Sequence, residues 1–223
     1  MSQPLLRNRE PETGSPFAGT ARELGFAVLL SLLVVASTPA ADKKPAPPKT
    51  PTPPTPISVT DVKPHVQWLA DPARRGRSGA SARESANYLR DHFRRLKLQP
   101  LFGKSYFQAL PGRKDEKQQP RTIGRNVGAV LPGRRSDEIV ILSAHYDHLG
   151  YDASLEGPDK TFNGAWDNAT GVAAISALAD AFATGEAPRR SLLFLACAAE
   201  ESGSLGSAWF VAEPPGSGPL AST

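Results

Sequence analysis

The residues of this chain able to do chemistry together fall at three points of its second half. His145, Asp147 and His148 lie in SAHYDHLG, Asp167 in FNGAWDNATGV, and Glu200 with Glu201 in AAEESGS. One imidazole with several carboxylates is a donor set for zinc or a similar divalent ion. Adjacent glutamates suggest a division of roles, because neighbours in an extended segment point opposite ways. One then sits on the metal and the other faces the attacking water. Asp147, two residues beyond His145, is placed to accept the imidazole's other N–H. Each residue alone has a plainer reading. His145 would be a strand-end histidine bonded to backbone, Asp167 a helix cap, and the glutamates an exposed loop pair. His148 receives no role as a ligand.

The elements around these residues give the plainer readings less weight. Ile139-Val140-Ile141-Leu142 is a short, β-branched apolar run and reads as a strand buried on both faces. It delivers His145 at its carboxyl end. Ser191 to Ala198, SLLFLACA, reads as a second buried strand with Glu200 and Glu201 just beyond it. Between them Asp167 to Phe182 reads as a helix rich in small residues, which lie close to a sheet. Strand, helix and strand make a βαβ unit, so the strands are expected to be parallel. Asp167, at the entry to the crossover helix, then meets His145 and the glutamates at the edge where open α/β sheets bind ligands. Adjacent strands lie about 4.8 Å apart, within coordination reach. Upstream, Asn126 to Leu131 reads as a short strand. A turn at Pro132-Gly133 predicts an antiparallel hairpin between it and the His145 strand.

The rest of the chain falls into three parts. Residues 1–40 contain the apolar stretch Leu24 to Ala36, LGFAVLLSLLVVA, followed by small residues. It is short against the roughly 20 residues of a membrane span. It reads as a signal peptide or an uncleaved N-terminal anchor, so the protein is expected to be exported. Residues 41–57 form a proline-rich linker. From residue 58 the composition is globular. Val59 to Leu69 has helical spacing, and Asp71-Pro72 stops it. Ser81 and Glu84 predict a capping box, followed by a helix with Ala82, Ala86, Leu89, Phe93 and Leu96 on one face. His65 and His92 read as incidental in these helices. The net charge of +4 is mild and comes without a nucleic-acid-binding signature, so no nucleic acid is expected as a partner. Cys197, the only cysteine, excludes an internal disulfide and reads as a small buried hydrophobe. Nothing in the sequence bears on oligomeric state.

The segments SAHYDHLG, FNGAWDNATGV and AAEESGSLGSAWFV closely resemble the three successive motifs of the co-catalytic di-zinc aminopeptidases. That family includes bacterial leucyl aminopeptidases, glutamate carboxypeptidase-like proteins and glutaminyl cyclases. The resemblance spans roughly His65 to Val211. It implies an α/β fold with three α/β/α layers and a mixed, mostly parallel sheet. It also implies two zinc ions and a peptide substrate. By the same resemblance His145 binds one zinc, Asp167 bridges both, Glu201 binds the other, Glu200 is the general base and Asp147 orients His145. The family pattern continues with an aspartate ligand and a histidine ligand nearer the C-terminus. Here only AEPPGSGPLAST follows Val211, with the single acid Glu213. The zinc peptidase domain, residues 58–223, is therefore expected to be C-terminally truncated, with each zinc short of one protein ligand, which leaves its activity and stable folding open. A glutaminyl-cyclase-like acyltransferase with a single zinc is the alternative enzyme. A catalytically dead remnant or binding module is the alternative outside catalysis.

Overall fold

The computed structural model describes residues 56–112 and 121–215. The expectations for the leader, residues 1–40, and for residues 41–55 of the linker lie outside the described residues. All described elements fall within one compact unit of the chain, Pro48–Thr223. Among the described residues no helix is long and apolar enough to cross a membrane.

Helix α1 spans Val59–Leu69, as its spacing predicts, and Ser58 and Asp61 cap it reciprocally. A tight turn, Pro72–Arg77, leads into α2, Gly79–Arg95. The cap of α2 differs from the expected one. Ser78 offers the first cap position, and its backbone N–H donates to Ser81 Oγ at 3.1 Å. Ser81 thus serves inside the box rather than opening it, and Glu84 turns instead to pair with Arg74. The predicted apolar face is otherwise present, with Ala86, Leu89 and Phe93 fully buried.

Five strands form one sheet: β1 (Gln99–Pro100), β2 (Phe107–Pro111), β3 (Thr122–Leu131), β4 (Arg135–His145) and a later strand, Arg190–Cys197. A two-stranded ribbon, β5 (Gly150–Tyr151) with β6 (Thr161–Phe162), lies between β4 and the Asp167 segment. Helix α3 (Thr170–Ala183) precedes the last sheet strand, which is therefore β7, and α4 spans Leu205–Ala212. The sheet is mixed. Strands β4 and β7 are parallel, as the βαβ reading predicts, while β1 and β2 pair antiparallel with β3, and β3 antiparallel with β7.

The expected β3–β4 hairpin does not form. Strand β7 inserts between the two, giving the order β1-β3-β7-β4. The connection from β3 to β4 instead crosses the start of β7. Gly133 N–H donates to Ser191 Oγ, and Arg134 N–H to the Pro188 carbonyl. A Cβ on Gly133 would lie 2.2 Å from the Arg190 carbonyl carbon, so only glycine permits this crossing. The most apolar strand thereby gains a hydrogen-bonded partner on each edge.

Burial follows from that order. Along β7 the side chains alternate between two cores. Leu192, Phe194 and Ala196 pack with Leu89 and Phe93 of α2 and Val172, Ile175 and Ala179 of α3. Leu193, Leu195 and Cys197 face a smaller cluster with Leu101 and Val130, against which Phe102 and, from α4, Phe210 pack. Strand β4 is not buried on both faces, contrary to the expectation. Ile139, Val140 and Ile141 are 42%, 38% and 52% exposed. It stands at the end of the strand order, and among the described residues nothing covers the face that carries Ile139 and Ile141.

Candidate metal centre

The parallel register of β4 and β7 sets His145 opposite Cys197, so both strands end at one level. Beyond Cys197 the chain turns through Ala199, a non-glycine residue at φ 54°, and presents Glu200 and Glu201 beside His145. Asp167 arrives from the other side. It lies not in the first turn of α3 but in an irregular turn, Ala165–Ala169, where its own backbone is extended. Ligand atoms of His145, Asp167 and Glu201 all lie within 4.8 Å of one another. His145 Nε2 is 3.0 Å from Asp167 Oδ1 and 3.9 Å from Glu200 Oε2. The predicted strand ends and helix entry thus bring four of the predicted residues together. His145, Asp167 and Glu201 supply one imidazole and two carboxylates, which fits a divalent ion such as zinc.

Asp147 acts somewhat differently from the sequence reading. Its carboxylate is 3.9 Å from His145 Nδ1, whereas its backbone carbonyl is 3.3 Å from that nitrogen. The carboxylate instead accepts the backbone N–H groups of Glu200 at 3.1 Å and Glu201 at 3.3 Å. Asp147 therefore steers the imidazole through its main chain and holds the glutamate turn through its side chain. Burial pushes its carboxyl upward, while those two N–H donors and the nearby His145 pull it down. His148, given no role from sequence, pairs with Glu201: Nδ1 lies 2.6 Å from Oε1.

Two buried side chains that sequence reasoning missed hold the loops in place. Arg77 is fully buried and donates to the carbonyls of Leu69, Tyr146, Asn163, Gly164 and Asp167. It ties the end of α1, the segment after His145 and the Asp167 turn into one knot. Burial lowers its pKa, opposed by the charges of Asp147, Asp167 and Glu201. Asn126 is also fully buried. Its Oδ1 accepts Ala198 N–H, and its Nδ2 donates to Gly206 O and Gln108 Oε1. A Cβ on Gly206 would meet the Ala198 carbonyl at 2.2 Å, so glycine is what allows α4 to close over the glutamate turn. Asn126 lies in a predicted strand and Arg77 among other arginines. Only their complete burial sets them apart, and burial of a single polar residue leaves no periodic trace in a sequence.

A cleft of about 620 Å³ borders the site. Asp147, His148 and Glu201 form one wall, with Arg83, Arg125 and Ile123 among the other lining residues. It flanks Glu201 rather than covering His145 and Asp167.

With this geometry in hand, comparison with known proteins is informative. Residues 126–221 match the model of peptidase family M28. The matched segment holds His145, Asp147, Asp167, Glu200 and Glu201, and the match agrees with the resemblance carried by the three motifs. The fold is similar to that of a leucine aminopeptidase precursor from Bacteroides thetaiotaomicron, with TM-score 0.56 and 17% identity over 74% of this chain and 59% of that one. A Zn-dependent exopeptidase from Parabacteroides distasonis gives TM-score 0.55 and 18% identity, over 72% of this chain and 57% of that one. Porphyromonas gingivalis glutaminyl cyclase gives TM-score 0.54 and 20% identity, over 71% and 56%. The chain thus spans less than 60% of the length of these three structural neighbours. A search of the curated proteins returns no match.

Proposed function

We propose that this chain carries a metal-binding site of an exported zinc metallopeptidase that removes N-terminal residues from peptides. One observation carries the reading. His145, Asp167 and Glu201 converge within 4.8 Å at the carboxyl end of a parallel strand pair, with Glu200 beside them. The M28 match supports a metallopeptidase, and the leucine aminopeptidase neighbour motivates the aminopeptidase assignment. Export rests on the apolar stretch Leu24 to Ala36.

His145, Asp167 and Glu201 would hold the ion. When bound, such an ion acts as a Lewis acid and makes water a stronger nucleophile at neutral pH. Glu200 stays off the cluster, 40% exposed and with Ser204 Oγ donating to its Oε1. Its carboxylate is placed to take a proton from water and return it to the leaving amine. Asp147 keeps Glu200 and Glu201 at their distances from the imidazole by holding both backbone N–H groups.

The test is zinc content and hydrolysis of aminoacyl-p-nitroanilides by the purified chain and by Glu200→Gln. The expected result is zinc retained in both, with hydrolysis lowered at least about 100-fold in the variant. Equal hydrolysis by both proteins would overturn the assignment of Glu200. The glutaminyl cyclase neighbour favours a second reading, cyclisation of N-terminal glutamine at the same site. Conversion of a glutaminyl peptide without hydrolysis of the nitroanilides would select it.

A further inference from the structure

A second imidazole–carboxylate cluster lies at the other end of α3. His65 comes from α1, His92 from α2 and Asp180 from α3, and ligand atoms of the three lie within 4.8 Å of one another. Asp180 is ten residues into α3, about 15 Å along its axis from the end nearest Asp167. The two histidines are 8% and 5% exposed. Both direct Nε2 at the same oxygen, Asp180 Oδ2, from 3.8 Å for His65 and 3.4 Å for His92. Neither distance makes a good hydrogen bond. His92 Nε2 is buried with no hydrogen-bond partner, which is costly for a polar atom.

These separations suit a different arrangement. Ligands bonded to zinc at 2.0–2.1 Å in a tetrahedron stand about 3.3 Å apart, so small ring movements would close the set around one ion. Of the two outer groups, Tyr88 is compatible as it stands and Arg95 has to move. Tyr88 Oη lies 2.7 Å from His65 Nδ1. In the tautomer protonated at Nδ1 that N–H donates to Tyr88, and Nε2 carries the lone pair a metal needs. Arg95 Nη2 lies 3.3 Å from His92 Nδ1. Ligation through His92 Nε2 puts the ring proton on Nδ1, so the exposed Arg95 side chain must swing out toward water. The Asp180 side chain is 41% exposed, so one side of the cluster is open to solvent and a water could serve as a further ligand there.

We propose that His65, His92 and Asp180 form a second divalent-cation site, of zinc type, that clamps α1, α2 and α3 together. It does not depend on the M28 site being active. Because an ion bound only by the folded chain adds to its stability, the site acts on folding rather than on chemistry.

The experiment uses the full chain with His145→Ala and Glu201→Ala, stripped with chelator and then titrated with zinc alone. The expected result is about one zinc per chain and an unfolding midpoint raised by about 5 °C. Adding Asp180→Asn, a change at a partly exposed position, abolishes both. No binding by the double variant, or binding and a shift that survive Asp180→Asn, would overturn the proposal. If the double variant does not fold, zinc content of the otherwise unaltered chain decides. Asp180→Asn must lower it by about one ion, and an unchanged content overturns the site. Failure of the His145 site reads out separately, as zinc content that His145→Ala leaves unchanged.

Discussion

The two ends of α3 make a useful contrast. At one end, His145, Asp167 and Glu201 come from a strand terminus and two irregular turns. At the other, His65, His92 and Asp180 project from three regular helices. Regular helices satisfy their own backbone and need no outside support to place a side chain. The turns of the first cluster leave carbonyl and N–H groups that other residues must satisfy. Arg77, Asn126 and Asp147 do so. The lesson is that the site suited to chemistry has the main chain of its ligand-bearing turns held by buried polar side chains, while the second cluster is placed by helix packing and has only Tyr88 and Arg95 beside its imidazoles.

Removing the support should therefore hurt far more at the first end. Arg77→Met leaves five carbonyls without their donor, at about 1–3 kcal/mol for each that stays buried and unsatisfied, and is expected to cost at least about 3 kcal/mol in urea unfolding. Arg75→Ala, two residues away on the surface, should change stability by under about 0.5 kcal/mol. Comparable losses from both would erase the contrast. Asp147→Ala comes next. It orphans the N–H groups of Glu200 and Glu201, for about 1–3 kcal/mol. It should also weaken zinc binding at His145 by about 10–100-fold, measured by competition with a chelator.

At the second end the effects without metal are smaller. Asp180 is 41% exposed, so Asp180→Asn in chelator should cost no more than about 1 kcal/mol. Burial raises the Asp180 carboxyl, but its contacts with His65 and His92 outweigh this and hold it well below its ordinary 3.8. A depressed folded pKa gives stability that is present above the ordinary value and lost as pH falls below it. The acid limb of the stability curve should therefore flatten in Asp180→Asn, and an unchanged limb would show that the pair is not coupled. The smallest expected signal is chemical. Burial pushes the Cys197 thiol up to about 11, with the charge of Asp147 adding to it. Iodoacetamide at pH 8 should label the native chain far more slowly than the urea-unfolded one, and equal rates would show that the β7 end opens readily.

Much of this was legible because it is periodic or contiguous. The helix over 59–69, the stripe through Leu89 and Phe93, the parallel pair ending at His145 and Cys197, and the motif residues all follow from local order. Strand order did not. Runs such as NVGAVL and EIVILSAH specify strands but not neighbours, and a Pro-Gly turn between them suggested a hairpin. Burial of β4 was misread for the same reason, since an apolar strand at a sheet's edge reads like one at its centre.

By itself, then, the sequence determined the two long helices ahead of the sheet, the parallel strand pair with its crossover helix, and the three ligand-bearing segments with their arrival at one sheet edge, because these depend on residue period and on the chirality of a βαβ unit. The short strands β1, β2, β5 and β6 were not read from it. Only the tertiary structure decided that β7 lies between β3 and β4, that Arg77 and Asn126 are the buried ties of the site, and that His65, His92 and Asp180 meet. Each of those facts is a contact between residues distant in the chain, and nothing in the local sequence encodes which distant partner a side chain will find.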